Sequence, residues 1–286
     1  MKADRSAPPG HIQRLLLLYP GVLLAALFGL PFLIMLAVSV FRRQVEAFYE
    51  PAFTLANYAK LLEPLYLERL LFSLWIAALV ATVSILVAVP FAWLLARSAH
   101  RTQSLWLVAL LAVLSLSEVI VGFAWSLLLS RTAGLSNLLV WLGLLDQPRA
   151  WTPGFGAMLA GYLYLVLPYA VLTLYPAASR VDPELAEAAR TLGASELRAF
   201  LTVVVPVLRP AMTAGWILSF VFTLGVYLIP QILGRPQHWT LSVLITDQAV
   251  YQSNLPLAAA LAAVLLAASL LLIALAGRAG GSGRRA

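Results

Sequence analysis

Six stretches of this 286-residue chain run for more than 20 residues with at most one Asp, Glu, Lys, Arg or His: 15–41, 70–96, 105–129, 155–179, 211–233 and 255–276. About 20 apolar residues in a helix cross the hydrocarbon core of a bilayer, and soluble cores rarely need such length. Only 11% of the residues are charged, against roughly a quarter in soluble domains. The runs recur along the whole chain and leave no stretch for a separate globule, so the pattern predicts an all-α, polytopic transmembrane bundle of six spans. The implied organisation is a short N-terminal segment (1–14), one membrane domain (15–276) and a Gly- and Arg-rich, disordered tail (277–286). Pro31, Pro90 and Pro168 fall inside runs, which a packed bundle tolerates because neighbouring helices satisfy the freed carbonyls.

The first run is longer than the 7–15 apolar residues of a signal peptide and closes on Arg42-Arg43, so it reads as a retained anchor. Placing both termini inside puts 12 of the 19 Lys and Arg on the cytoplasmic side and 7 outside. That positive-inside bias predicts a multi-pass protein of the cytoplasmic membrane with cytoplasmic termini. The net charge of +7 is scattered through short connections instead of forming a stripe, which argues against nucleic acid and for membrane topology. There is no cysteine, and His11, His100 and His238 lie far apart outside the runs, so neither thiolate chemistry nor a histidine-built metal site is expected. The apolar stretch 135–145 is too short to cross and reads as an interfacial helix.

The inner connection at 180–210 is long, mixed in charge and patterned. Asp182-Pro183 supplies an N-cap and a first-turn proline, and Leu185, Ala188, Ala189 and Leu192 follow at helical spacing. Gly193 stands where a helix end takes a left-handed residue, and Ser195 can cap a second helix through Leu197, Phe200, Leu201 and Val204. Helix, sharp turn, helix is predicted.

Glu187-Ala188-Ala189, three residues, Gly193, nine residues, then Val203-x-Val205-Pro206 resembles the EAA loop of type I ATP-binding-cassette importer permeases, with valines where that pattern has isoleucine and leucine. The resemblance implies that Glu187, Ala188, Ala189, Gly193 and Pro206 belong to a coupling helix seated in a groove of a separate ATPase. It also implies a complex of an ATPase dimer, a second permease chain, whether sister or copy, and an extracytoplasmic solute-binding protein. No G-x-x-x-x-G-K-[ST] motif is present, so no cofactor is expected in this chain and Mg-ATP would sit on the partner. The runs 163–169, 225–234 and Gly134-Leu135-Ser136-Asn137 look like spermidine/putrescine-type permeases, whose relatives also import aminophosphonates and opines. At Leu116-Ser117-Glu118-Val119 the sequence departs from that pattern, which has no carboxylate there.

Glu118 is the single Asp, Glu, Lys, Arg or His within the six runs. On a straight helix Ser115, Gly122 and Trp125 share its face, a stripe that suits a cationic solute. Two roles fit: pairing with the solute's charge, or hydrogen bonding to a neighbouring helix. Tyr227, with Tyr162, Tyr164 and Trp216, is a further candidate for the path, although aromatics in spans more often pack or anchor. Asp247 reads as a solvated loop acid. The rival class, an ion-gradient-driven secondary transporter, calls for more embedded titratable residues and often an internal repeat, and neither is evident. An embedded serine protease would need a buried histidine beside its serine, and no histidine falls in a run.

Overall fold

The computed structural model describes residues 11–44, 48–132 and 134–281, and side chains within 18–277. Helix α1 (His11–Leu24) passes through a π-helical turn (Ala25–Gly29) into α2 (Leu30–Ser39). The wide turn has a local cause. Pro31 lacks an N–H, and its ring would press on the carbonyl four residues back, within that turn. A hairpin of β1 (Phe41–Arg42) and β2 (Glu50–Phe53) and the short α3 (Ala56–Lys60) lead to α4 (Pro64–Arg97), which is continuous through Pro90.

Next come α5 (His100–Leu114), α6 (Glu118–Leu128), α7 (Leu135–Trp141) and α8 (Phe155–Ala178). Helices α9 (Pro183–Thr191) and α10 (Glu196–Ala199) form the patterned connection. A second π turn (Phe200–Val204) joins α10 to α11 (Val205–Gly225), again just before a proline, Pro206. The chain ends in α12 (Leu228–Leu233), a 3₁₀ turn (Pro236–His238), α13 (Leu241–Thr246), a π turn (Asp247–Tyr251) and α14 (Leu255–Gly281).

Among the described residues five helices are long and apolar enough to cross a membrane, and α5 and α6, bent by 98°, make a sixth if the pair is taken as one span. The straight third span expected at 105–129 is therefore corrected to a broken one. Ser115 turns its hydroxyl back to the Leu111 carbonyl, and Ser117 caps α6 by accepting from the Val119 amide at 3.3 Å. Ser115 consequently lies off the α6 face that carries Gly122 and Trp125. The fifth run is also interrupted, because Val226 is extended between α11 and α12. Asp247 opens a π-helical turn instead of sitting in a loop. At the C-terminus helix continues past Gly277 to Gly281, where the tail is expected to be disordered; residues 282–286, and residues 1–10 at the other end, lie outside the described residues.

The core is the three-way packing of α4, α8 and α11. Ile76, Val80, Met158, Tyr162 and Val166 fill one end of it, and Ala88, Ala92, Ala170, Leu174 and Leu208 the other. Small residues let α12 approach closely, as is usual where no water drives helices together. A Cβ on Gly161 would lie 2.7 Å from Leu233 Cδ1 and 3.1 Å from Ile229 Cγ2, and one on Gly122 would lie 3.0 Å from Ile232 Cδ1. Helix α12 is thus held between α6 and α8 at two glycine positions.

Gly161→Ala is expected to destabilise the bundle by about 1–3 kcal/mol, because Leu233 and Ile229 must move. Gly156→Ala in the same helix meets nothing within 4 Å and serves as the neutral control. Thermal unfolding of the two variants in detergent checks the difference.

Candidate functional site

The patterned connection is built by local chemistry. Asp182 Oδ1 accepts from the Glu184 amide at 3.0 Å and Pro183 opens α9, so the helix starts where the sequence predicts. It stops at Gly193, whose φ of 89° is in the left-handed region. The Ala194 amide donates to the Ala189 carbonyl at 3.1 Å and the Gly193 amide to the Arg190 carbonyl at 2.9 Å. That is the Schellman pair, which closes the orphan carbonyls of a helix end. Ser195 Oγ then accepts from the Arg198 amide at 3.3 Å and starts α10.

The turn is anchored on one side and bare on the other. Val181, Ala199 and Val204 are buried, Ala186 and Phe200 pack against them, and Phe200 lies 6.2 Å from Trp93 of α4. Leu185, Leu192 and Leu197 are 47%, 89% and 68% exposed. Glu187, Ala188 and Gly193 are exposed with them, and Ala189 is half-buried. A cavity of about 750 Å³ opens between the end of α4 and this element, lined by Trp93, Arg97, Glu187, Arg190 and Glu196 among others. From Glu196 to Gly225 the chain is one 30-residue helical run, so the turn connects stiffly to the bundle's middle.

That middle holds the two helix breaks. Glu118 Oε1 accepts from the Leu228 amide at 2.7 Å and the Ile229 amide at 3.1 Å. The carboxylate is therefore hydrogen-bonded to a neighbouring element. Glu118 also lines a cavity of about 70 Å³ with Leu114, Leu165, Tyr169, Phe222 and Val226. Tyr227 is half-buried at the start of α12, and Trp125 meets Tyr164 edge-on at 5.9 Å. Tyr162 is fully buried in the core, and Trp216 stacks on Phe220 while its Nε1 donates to Thr82 Oγ1 at 3.0 Å. The structure brings Glu118 and the start of α12 together and leaves Tyr162 and Trp216 to packing. It adds Tyr169 and Phe222, whose rings are 4.5 Å apart. Tyr169 closes the 163–169 run, which marks the segment but not which of its tyrosines faces the cavity.

At the other end of α12 the chain is tied by polar contacts. Arg235 Nε donates to the Pro153 carbonyl at 3.1 Å, Arg69 donates to the Gln237 carbonyl, and His238 Nδ1 accepts from the Arg235 amide at 3.2 Å. Burial, then the Arg235 and Arg69 charges, hold the His238 pKa below its usual value and keep Nδ1 an acceptor.

Residues 70–279 match the sequence signature of the family described as binding-protein-dependent transport system inner membrane component. The chain belongs to that family. Its fold is thus that of an ATP-binding-cassette importer permease, an integral inner-membrane protein of a permease family and not of an enzyme family. This permease is 33% identical over 233 residues, 81% of its length and 84% of the relative's, to the spermidine/putrescine transport system permease protein PotB of Escherichia coli (strain K12). It is 35% identical over 234 residues, 81% and 80% of the two chains, to PotB of Salmonella typhimurium (strain LT2). In shape it matches a chain of the bacterial alginate ABC transporter in complex with alginate pentasaccharide-bound periplasmic protein, with TM-score 0.75 at 16% identity over 96% and 97% of the two chains. The family places the permease away from ion-gradient-driven secondary transporters.

Gly193→Ala meets no atom within 4 Å, so its cost is conformational, about 1 kcal/mol. Amide hydrogen exchange at 189–195 is expected to quicken about fivefold, with α8 and α11 unchanged. At the His238 end the sign is opposite to that of a salt-bridged histidine. A lowered folded pKa means that the contact is complete above the unfolded value near 6.5 and is lost as pH falls below it. Exchange protection at 235–241 should therefore rise with pH through that range.

Proposed function

We propose that this permease imports polyamines or similar cationic organic solutes, driven by an ATPase dimer that docks on the α9–α10 turn. The observation that carries the coupling role is the exposed leucine face, Leu185, Leu192 and Leu197, on an element whose back is fixed in the core. Covering a leucine fully contributes about 1.5–3 kcal/mol, so three such residues are a costly surface to leave bare without a partner. Glu187 adds a charge that a basic residue of the ATPase can meet, and small Ala188 and Ala189 let the partner's surface come close. Gly193 makes the turn, and Pro206 marks where α11 begins its run to the bundle's middle.

The substrate class rests on the spermidine/putrescine-named relatives, each matched over more than four-fifths of this chain. Tyr169 and Phe222 offer aromatic faces to an ammonium group beside Glu118, and Trp125 and Tyr227 would extend the path along α6 and the start of α12. The turn and both termini lie on the cytoplasmic side, as the cation bias supports. Mg-ATP belongs to the ATPase and no cofactor to this chain. A second permease chain completes the pore, lipid surrounds it, and a solute-binding protein delivers from outside.

The test is uptake of radiolabelled spermidine by the complete transporter. Glu187→Lys and Gly193→Pro should each lower it at least about tenfold while the chain stays inserted, and should weaken co-purification of the ATPase. Full uptake by both variants would remove the turn from the coupling role. Because the chain has no cysteine, Ser195→Cys gives a single label site, which should react from the cytoplasmic face alone.

A further inference from the structure

Two spans are interrupted at the same place in the fold, and one side chain joins the interruptions. Helix α6 begins at Glu118 after the bend that follows α5, and α12 begins at Leu228 after the extended Val226. The first amides of any helix lack intrahelical acceptors, and in hydrocarbon no water replaces them. Glu118 Oε1 takes the Leu228 and Ile229 amides at 2.7 and 3.1 Å. One turn further along each element, Gly122 faces Ile232 closely, so that a Cβ there would lie 3.0 Å from Ile232 Cδ1. The contact therefore has a polar end and a close-packed end, in register on both helices. The cavity that Glu118 shares with Tyr169 and Phe222 lies against this joint.

We infer that Glu118 is a positioning residue that fastens α12 to α6, so that the two half-helices move as one piece and carry this wall of the solute path with them. The joint itself does not depend on what is transported; its consequence for uptake rests on the polyamine-import reading above.

The geometry supplies its own probe. A Cβ built on Gly122 lies 3.8 Å from Ile232 Cβ, within the roughly 3.5–4.5 Å span of a disulfide. Gly122→Cys with Ile232→Cys, in a chain that has no other cysteine, should oxidise readily in native membranes. With E118A the rate of cross-link formation should fall about tenfold, because both backbone hydrogen bonds to the carboxyl are lost. With E118Q, which keeps an acceptor oxygen, it should stay within about threefold. E118S replaces E118A if the alanine chain does not reach the membrane.

In spermidine uptake by the complete transporter, oxidation of the pair should leave the rate unchanged from that of the same double variant before oxidation. E118A should lower the maximal rate with KM nearly unchanged, and oxidation of the pair should restore most of that rate. Equal cross-linking in E118A, E118Q and the parent would overturn the joint, and arrest of transport by the disulfide would show that α6 and α12 must separate. A KM raised by E118Q, with cross-linking unchanged, would assign Glu118 to the solute's charge instead. If the unaltered transporter takes up no spermidine, the substrate reading falls, and the cross-linking rates still decide the joint.

Discussion

The bilayer offers no water to a backbone amide, and that constraint governs where this chain can break its helices. Most of its breaks lie at the ends of spans. The two interior ones, after Leu114 and after Gly225, adjoin each other, and the carboxylate at the start of α6 accepts from the first amides of α12. Glycines at 122 and 161 then let α12 sit deep between α6 and α8. Without an acceptor there, α12 would carry unpaired donors in hydrocarbon at several kcal/mol each, and the short helix would have little reason to exist.

Stiffness runs from this joint to the far end of the bundle. The helical run from Glu196 to Gly225 spans about 45 Å at 1.5 Å per residue. It survives Pro206 because the π turn before it absorbs the missing hydrogen bond, and Trp216 ties its middle to Thr82 of α4. In the proposed cycle a push on the α9–α10 turn therefore reaches the α11–α12 break as rigid-body motion, where the extended Val226 can change direction without disturbing a helix. Hinge and lever are adjacent in sequence, which leaves little length in which motion could dissipate.

The legible part of the fold was the part decided locally. Span length is a filter on consecutive residues, so the apolar runs place the helices within a few positions, as with Phe155–Ala178. Caps are equally local: Asp182, Gly193 and Ser195 satisfy amides and carbonyls within five residues of themselves. The bend at 115–117 was not legible, since either serine alone sits comfortably in a straight span by bonding back one turn. What makes the bend worthwhile is α12, whose amides are 110 and 111 positions from Glu118. Tyr162 and Tyr169 show the same limit. Both lie in one apolar run, yet one is wholly buried in the core and the other lines a cavity, and only the packing of three helices separates them.

The same joint bears on how a cationic solute could pass a carboxylate without being held by it. A free buried anion would bind an ammonium tightly and release it slowly, whereas conduction needs attraction weak enough to leave. At Glu118 one oxygen is already committed to two backbone donors, and those donors draw charge away from the path. On the proposed path, what would face the solute is closer to a polarised acceptor than to a bare charge, flanked by the rings of Tyr169 and Phe222, whose quadrupoles attract cations without strong desolvation. A carboxylate spent on architecture can in this way tune the potential of the path while leaving affinity to the aromatic faces.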